Sequence, residues 1–298
     1  MEEIKKIRSS SVQCVVTSPP YYGLRDYGDP RQLGLEITPG LYINRLVAIG
    51  REIRRVLNDE GMFWLNLGDS YYNYRPGGDG LNRTGLQKNT QSLPESTHRR
   101  GSRQAGFKEK DRMMIPARVA IALAEDGWYL RDEIVWHKPN PMPESMTDRC
   151  TKAHEMIYML TKNQSYYYDQ QAIREKGVIP AGTLAAKGSA ERFAMKGVNA
   201  RPPEYKEYDG FRIKRSVWTV NTALSEDEHF AIFPDDLIKP CILAGSKAGD
   251  IILDPFAGTG TTGKVAIQLG RNAILIEINP QYAAMCKASV DTTPGFAF

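Results

Sequence analysis

The chain has 298 residues, 41% hydrophobic and 25% charged, with a formal net charge of +4. That length suits one main domain with an insertion, and no run approaches the roughly 18 uninterrupted apolar residues of a membrane span, which excludes a bilayer-embedded class. Residues 1–10 lack the apolar core of a secretory signal, and Cys14, Cys150, Cys241 and Cys286 are scattered without CxxC pairing. A reducing cytoplasm is therefore expected, with neither a disulfide framework nor a metal site, and the cysteines read as small core residues.

Val12–Thr17 (VQCVVT) is a β-branched run stopped by Ser-Pro-Pro, which predicts a buried strand delivering a rigid turn. Residues 41–59 space their apolar side chains as a helix and end before Gly61, a C-cap candidate, and 61–69 (GMFWLNLGD) reads as a second buried strand. Residues 115–127 predict a helix opened by Pro116 and closed by Gly127, followed by strands over 128–138 and 154–162. From about 170 to 225 the pattern degrades into Gly, Pro, Lys and Arg with isolated aromatics, as in a separate module. Regularity returns with a helix over 233–246 and with strand, glycine-rich turn, helix and strand over 250–279. This alternation argues for an α/β fold with a mostly parallel sheet.

Charge is unevenly spread. Between Arg75 and Arg112 stand nine Lys or Arg (75, 83, 88, 99, 100, 103, 108, 110 and 112) against four acids (79, 95, 109 and 111). This local +5 exceeds the charge of the whole chain, in a stretch rich in Gly, Asn, Gln, Ser and Thr. It reads as a surface insertion suited to phosphate contacts, a solvated loop being the plainer alternative.

Gly258, Gly260 and Gly263 satisfy GxGxxG, and Gly258–Lys264 nearly satisfies a phosphate loop. The phosphate loop fails at Val265, where magnesium needs a hydroxyl ligand, and a dinucleotide fold would need a second half although only 21 residues follow Glu277. A methyl-donor site fits better. The glycines let the backbone approach a cofactor, Glu277 can hold ribose hydroxyls and Phe256 offers an apolar wall, with no pyrophosphate to neutralise.

Pro19 and Pro20 make Ser18–Tyr21 a stiff lip with outward carbonyls. An exocyclic amino nitrogen is a poor nucleophile because its lone pair is delocalised into the base. Accepting its two hydrogens on Ser18 and the Pro19 carbonyl would turn that lone pair toward a methyl donor, with Tyr21 stacking on the extruded base. Alone, the tetrapeptide reads more readily as a turn, with the tyrosines as packing. Pro240-Cys241 lies inside an apolar helical pattern, which does not suit the nucleophilic thiolate of carbon-5 methylation.

TSPPYY (17–22) followed far downstream by DPFAGTGTT (254–262) resembles the β group of bacterial and phage amino-DNA methyltransferases. Residues 61–71, 136–143 and 229–244 look like further family segments, so the resemblance covers nearly the whole chain. It implies a permuted doubly wound sheet, S-adenosylmethionine as cofactor and double-stranded DNA as substrate. It leaves open a companion restriction endonuclease and a homodimer, and it places the protein at the nucleoid.

By resemblance, 1–74 with 113–169 form the catalytic half, 75–112 the basic insertion, 170–225 the target-recognition region and 226–298 the cofactor half. Candidate catalytic residues are Ser18, Pro19, Pro20, Tyr21 and, for proton removal, Asp69. Candidate cofactor residues are Thr17, His229, Phe230, Phe233, Asp254, Phe256, Ala257, Gly258, Thr259, Gly260, Thr261, Thr262 and Glu277; candidate DNA contacts are Arg25, Arg99, Arg100 and Arg103. Ser rather than Asp before Pro-Pro favours cytosine N4 in this family, adenine N6 being the alternative. A silent DNA-binding subunit is disfavoured because both motifs are intact.

Overall fold

The computed structural model describes residues 2–25, 27, 29–72, 106–186, 205–222 and 234–293. The chain divides into two compact units, Asp169–Arg215 and residues 1–168 with 216–298. In the larger unit a short helix α1 (Glu2–Lys5) precedes β1 (Val12–Thr17), whose bounds match the β-branched run. Helix α2 (Pro39–Val56) starts at Thr38, whose hydroxyl accepts the Leu41 N–H at 3.2 Å, with Pro39 where a missing donor costs nothing. It buries Tyr42, Leu46, Ile49, Ile53 and Val56.

The predicted boundary after α2 is corrected. The helix ends at Val56 and passes directly into β2 (Leu57–Leu67), because Leu57 is already extended and pairs with Val12 of β1. Gly61 therefore lies inside the strand instead of capping the helix.

Helix α3 (Ile115–Glu125) leads to β3 (Tyr129–His137) and β4 (His154–Thr161). The smaller unit holds two short ladders, β5 (Glu175–Lys176) with β8 (Phe211–Arg212) and β6 (Leu184–Ala186) with β7 (Tyr205–Glu207). The larger unit resumes with β9 (Val217–Thr219), which pairs with β3, so the end of the 170–225 stretch belongs to the main sheet. Helix α4 (Asp235–Gly245), β10 (Ile251–Asp254), α5 (Thr261–Gln268), β11 (Asn272–Leu275) and α6 (Pro280–Asp291) complete the unit.

The sheet runs β11-β10-β1-β2-β4-β3-β9 and is parallel except for β4, which is antiparallel to both neighbours. Val15, Phe63 and Leu65 join α2 and α3 in the main core, whereas Cys14 on the opposite face meets Cys241 and Gly245 of α4. Helices on both faces make the sheet doubly wound. From β1 the chain moves to β2 on one side, and from β10 to β11 on the other, so strand order reverses between the adjacent carboxyl ends of β1 and β10. In open α/β sheets that crevice is where ligands bind.

Among the described residues no helix is long and apolar enough to cross a membrane. Cys14, Cys241 and Cys286 are buried, but Cys150 is exposed, contrary to its expected place in the core.

Candidate active site at the strand switch point

The last residue of β1 and the last of β10 are bonded to each other. Thr17 Oγ1 donates to Asp254 Oδ1 at 2.5 Å, and Thr262 Oγ1 donates to Asp254 Oδ2 at 2.6 Å. Oδ1 also accepts the Phe256 N–H at 3.0 Å. Asp254 is 2% exposed, and burial pushes its carboxyl up to about 6 despite these donors. Thr17, Asp254 and Thr262, named as cofactor residues from the motif, bond to one another through their side chains. Their polar atoms clamp the glycine turn to β1, which brings two sequence motifs 237 residues apart to one spot.

The turn itself carries the opening. Gly258 has φ +54°, and a Cβ added there would meet nothing within 4 Å. Gly260, at φ +90°, is different, because an added Cβ would lie 2.9 Å from Cys286 Sγ and 3.0 Å from its Cα. Glu277, just past β11, accepts the Gly258 N–H at 2.8 Å and the Asn279 N–H at 2.9 Å, one on each oxygen. Each oxygen keeps a lone pair for a further donor. Phe256 is half-buried against the main core, Ala257 is buried, and Thr259 is half-buried between them and Gly260. An open glycine face, an anchored carboxylate and an apolar ring fit a nucleoside cofactor.

Tyr27 adds a wall that the sequence did not announce. Its carbonyl accepts from Asn279 Nδ2 at 3.1 Å, and its ring meets Tyr282 edge-on at 6.1 Å. Arg25 is close enough for its charge to act on both tyrosine hydroxyls, so this expected DNA contact lies near the Tyr27–Tyr282 pair.

The Ser18–Tyr21 lip lies directly after Thr17. Its carbonyls do not all face outward as expected, because the buried Tyr42 hydroxyl donates to the Pro20 carbonyl at 2.8 Å and turns it inward. Pro19 is buried and Ser18 half-buried. Tyr21 rests its ring on Gly68, where an added Cβ would come within 2.4 Å of it. Its hydroxyl reaches Glu155 Oε2 at 2.7 Å, Asn66 Oδ1 at 2.9 Å and Ser18 Oγ at 3.3 Å. Burial first, and the Glu155 carboxylate second, hold that hydroxyl well above the usual tyrosine range, so it stays a donor.

Asp69 needs correction as a proton acceptor. Its side chain is 1% exposed and its oxygens take the Ser70 and Ile115 N–H groups, at 3.0 and 2.9 Å, and Arg112 Nε at 2.6 Å. It thus anchors the start of α3 and the end of the basic insertion. Residues 106–112 are likewise docked, with Phe107 stacked on Tyr72 at 5.8 Å and Lys110 paired with Asp148.

Asn66, Lys138 and Glu155 carry no signal of their own in the sequence. Asn66 and Lys138 do lie inside the NLGD and WHKP segments, whereas Glu155 lies in neither. His137 contacts Thr219, and His154 is partly buried, with burial lowering its proton affinity. Trp64 and Trp136 are buried. Arg99, Arg100, Arg103, His229, Phe230 and Phe233 lie outside the described residues.

Comparison with known proteins fits this arrangement. The model of the N6/N4 DNA methylase family matches residues 12–288. The type II methyltransferase M.Cfr9I of Citrobacter freundii is 44% identical over 94% of this chain and 81% of its own length, and M.SmaI of Serratia marcescens 40% over 97% and 87%. Among solved structures, the PvuII DNA methyltransferase (cytosine-N4-specific) superposes with a TM-score of 0.61 at 17% identity, covering 96% of this chain and 82% of that one. The SAM complex of M1.HpyAVI gives 0.53 at 16%, covering 97% and 92%. These last two likenesses establish the fold. With a family model spanning nearly the whole chain and relatives at 40% identity or above along most of their length, the chain belongs to the N6/N4 DNA methylase family.

Proposed function

We propose that this DNA methyltransferase moves the methyl group of S-adenosylmethionine to the exocyclic N4 of a cytosine flipped out of double-stranded DNA. One observation carries the reading. The Thr17–Asp254 bond ties the residue before the Ser18–Tyr21 lip to the strand end that leads into the open Gly258 turn, which supports Ser18 as an acceptor for amino hydrogens there. When bound there, S-adenosylmethionine supplies an electrophilic methyl. Gly258 allows close backbone approach, Glu277 accepts from ribose hydroxyls and Phe256 covers an apolar face.

The Ser18 hydroxyl and Pro19 carbonyl accept the two amino hydrogens, which turns the nitrogen lone pair out of conjugation and toward the donor. Orientation of this kind supplies about 7–11 kcal/mol of a barrier. Tyr21, its hydroxyl held from behind, presents its ring to the extruded base. The hydroxyl at position 18 favours cytosine, in keeping with the specificity stated for the PvuII enzyme whose fold this chain shares. The basic insertion serves the DNA backbone, and Asp169–Arg215 contributes to target reading. Similarity to type II methyltransferases suits pairing with a restriction endonuclease.

Expression in a host free of such enzymes, digestion of its DNA and mass spectrometry of the nucleosides should reveal N4-methylcytosine. N6-methyladenine instead would move the target to adenine, and the absence of both methylated nucleosides would overturn the reading. Ser18→Ala should leave cofactor binding by calorimetry near wild type while methyl transfer falls by orders of magnitude; full activity would remove Ser18 from the chemistry.

A further inference from the structure

Behind the lip, four oxygen-bearing side chains share two hydroxyl protons. Ser18 Oγ stands 3.3 Å from both Tyr21 Oη and Asn66 Oδ1, and Tyr21 Oη stands 2.9 Å from Asn66 Oδ1 and 2.7 Å from Glu155 Oε2. The outer two members are fixed from further back. Asn66 Nδ2 donates to the Met156 carbonyl at 3.1 Å; a carbonyl only accepts, so the amide oxygen must face the hydroxyls. Glu155 Oε1 is held by the Lys138 ammonium, which lies 4.2 Å above the Trp136 ring, itself tied to the Val220 carbonyl at 2.8 Å.

Proton accounting then gives a direction. A carboxylate held by an ammonium accepts, so the Tyr21 proton goes to Glu155 in the shortest and charge-assisted bond of the set. The Ser18 proton is left to point inward, to Asn66 Oδ1 or the Tyr21 oxygen. Both lone pairs of Ser18 are then free to face the crevice. Reversing the bond at Glu155 would turn the Tyr21 proton onto Asn66 Oδ1, at 2.9 Å, where it competes with the longer Ser18 bond and favours an outward Ser18 proton, against the amino hydrogen it must accept.

On the reading that Ser18 accepts an amino hydrogen of the target base, we propose that Glu155 is a positioning residue for methyl transfer. Acting through Tyr21 and with Asn66, it keeps the Ser18 hydroxyl oriented as an acceptor. It touches neither base nor cofactor. Glu155→Gln should reverse the chain, because Lys138 retains the amide oxygen and the amide nitrogen must donate to Tyr21. In a Tyr21→Phe background there is no hydroxyl to reverse, and Ser18 donates to Asn66 whatever stands at position 155.

The test is a double-mutant cycle in the full-length protein, read by single-turnover methyl transfer to duplex DNA with saturating S-adenosylmethionine. Glu155→Gln should slow transfer about tenfold or more in the Tyr21 background and less than about twofold in the Tyr21→Phe background. Cofactor affinity by calorimetry should be unchanged throughout. Equal factors in the two backgrounds would overturn the proposal, because a general packing defect is additive. If Glu155→Gln does not fold, the paired change Glu155→Ala with Lys138→Met, which removes the acceptor of the Tyr21 proton together with its counter-ion and turns that proton to Asn66, enters the same cycle with the same two outcomes. Wild-type protein that transfers no methyl group would refute the functional reading itself, and the role of Glu155 with it.

Discussion

Three glycines of one motif do three different jobs. A methyl group added at Gly258 meets nothing within 4 Å, at Gly260 it meets the Cys286 sulfur and backbone, and at Gly263 it lies 2.4 Å from Leu275 Cδ1. Only the first faces the crevice. Gly258→Ala should therefore cost about 1–2 kcal/mol of stability for its left-handed backbone, while cofactor affinity falls about tenfold or more as the methyl occupies the opening. Gly260→Ala carries a similar backbone penalty plus a clash with the α6 backbone, which cannot swing aside as a side-chain tip can. Its melting temperature should fall much further than that of Gly258→Ala. Calorimetry with S-adenosylmethionine and thermal melts separate the two, and a Gly258→Ala protein with wild-type affinity would place the cofactor elsewhere.

Between elements, the decisive contact is the buried Asp254 carboxylate, which joins β1, β10 and α5 through Thr17, Phe256 and Thr262. Its folded-state value of about 6 lies above the roughly 3.9 of an unfolded aspartate. Between those two values the folded protein binds more protons than the unfolded chain, so stability falls as pH rises. The contribution is full below about pH 4 and lost by the time pH has risen through about 6, a total of about 3 kcal/mol. Urea unfolding of wild type and Asp254→Asn at intervals from pH 4 to 7 should show this slope in the wild type and a shallower one in the variant. Parallel curves would mean that Asp254 titrates as an ordinary carboxyl.

Elements whose signal is local were legible from sequence. β1 was, because a β-branched run meets two prolines, and so was the β10-turn-α5-β11 unit, because its glycines punctuate a clear change of period. The end of α2 was not, since residues 58–60 carry polar side chains that suit a helix end equally, and only pairing with Val12 makes Leu57 a strand. The reversed β4 was not either, because alternation of apolar residues gives a strand no direction. In the site, Ser18 and Gly258 could be named from motifs. Glu155 and the anchoring role of Asp69 could not, as Glu155 reaches Tyr21 across 134 residues and Asp69 reaches Arg112 across 43.

For the whole molecule, net charge says little and its placement says more. The nine cations between Arg75 and Arg112 are equal on paper, but the structure divides them. Arg112 is bound to a carboxylate that is 1% exposed, and Lys110 is paired with Asp148, so these two are committed to holding the insertion's end. The surplus that can release counterions from DNA then rests on the earlier residues, Arg99, Arg100 and Arg103 among them. Replacing those three with Gln should lower the salt slope of duplex binding by up to about 0.9 for each phosphate no longer neutralised, on cognate and unrelated sequences alike. Arg112→Gln should behave oppositely. It leaves Asp69 buried without its cation, a destabilisation on the order of 3 kcal/mol that appears in urea unfolding, while the salt slope stays near wild type. Fluorescence anisotropy on labelled duplexes across a salt series measures the slopes. If the triple variant keeps the wild-type slope, Arg99, Arg100 and Arg103 do not carry the phosphate contacts, and the slope comes from other cations of the chain.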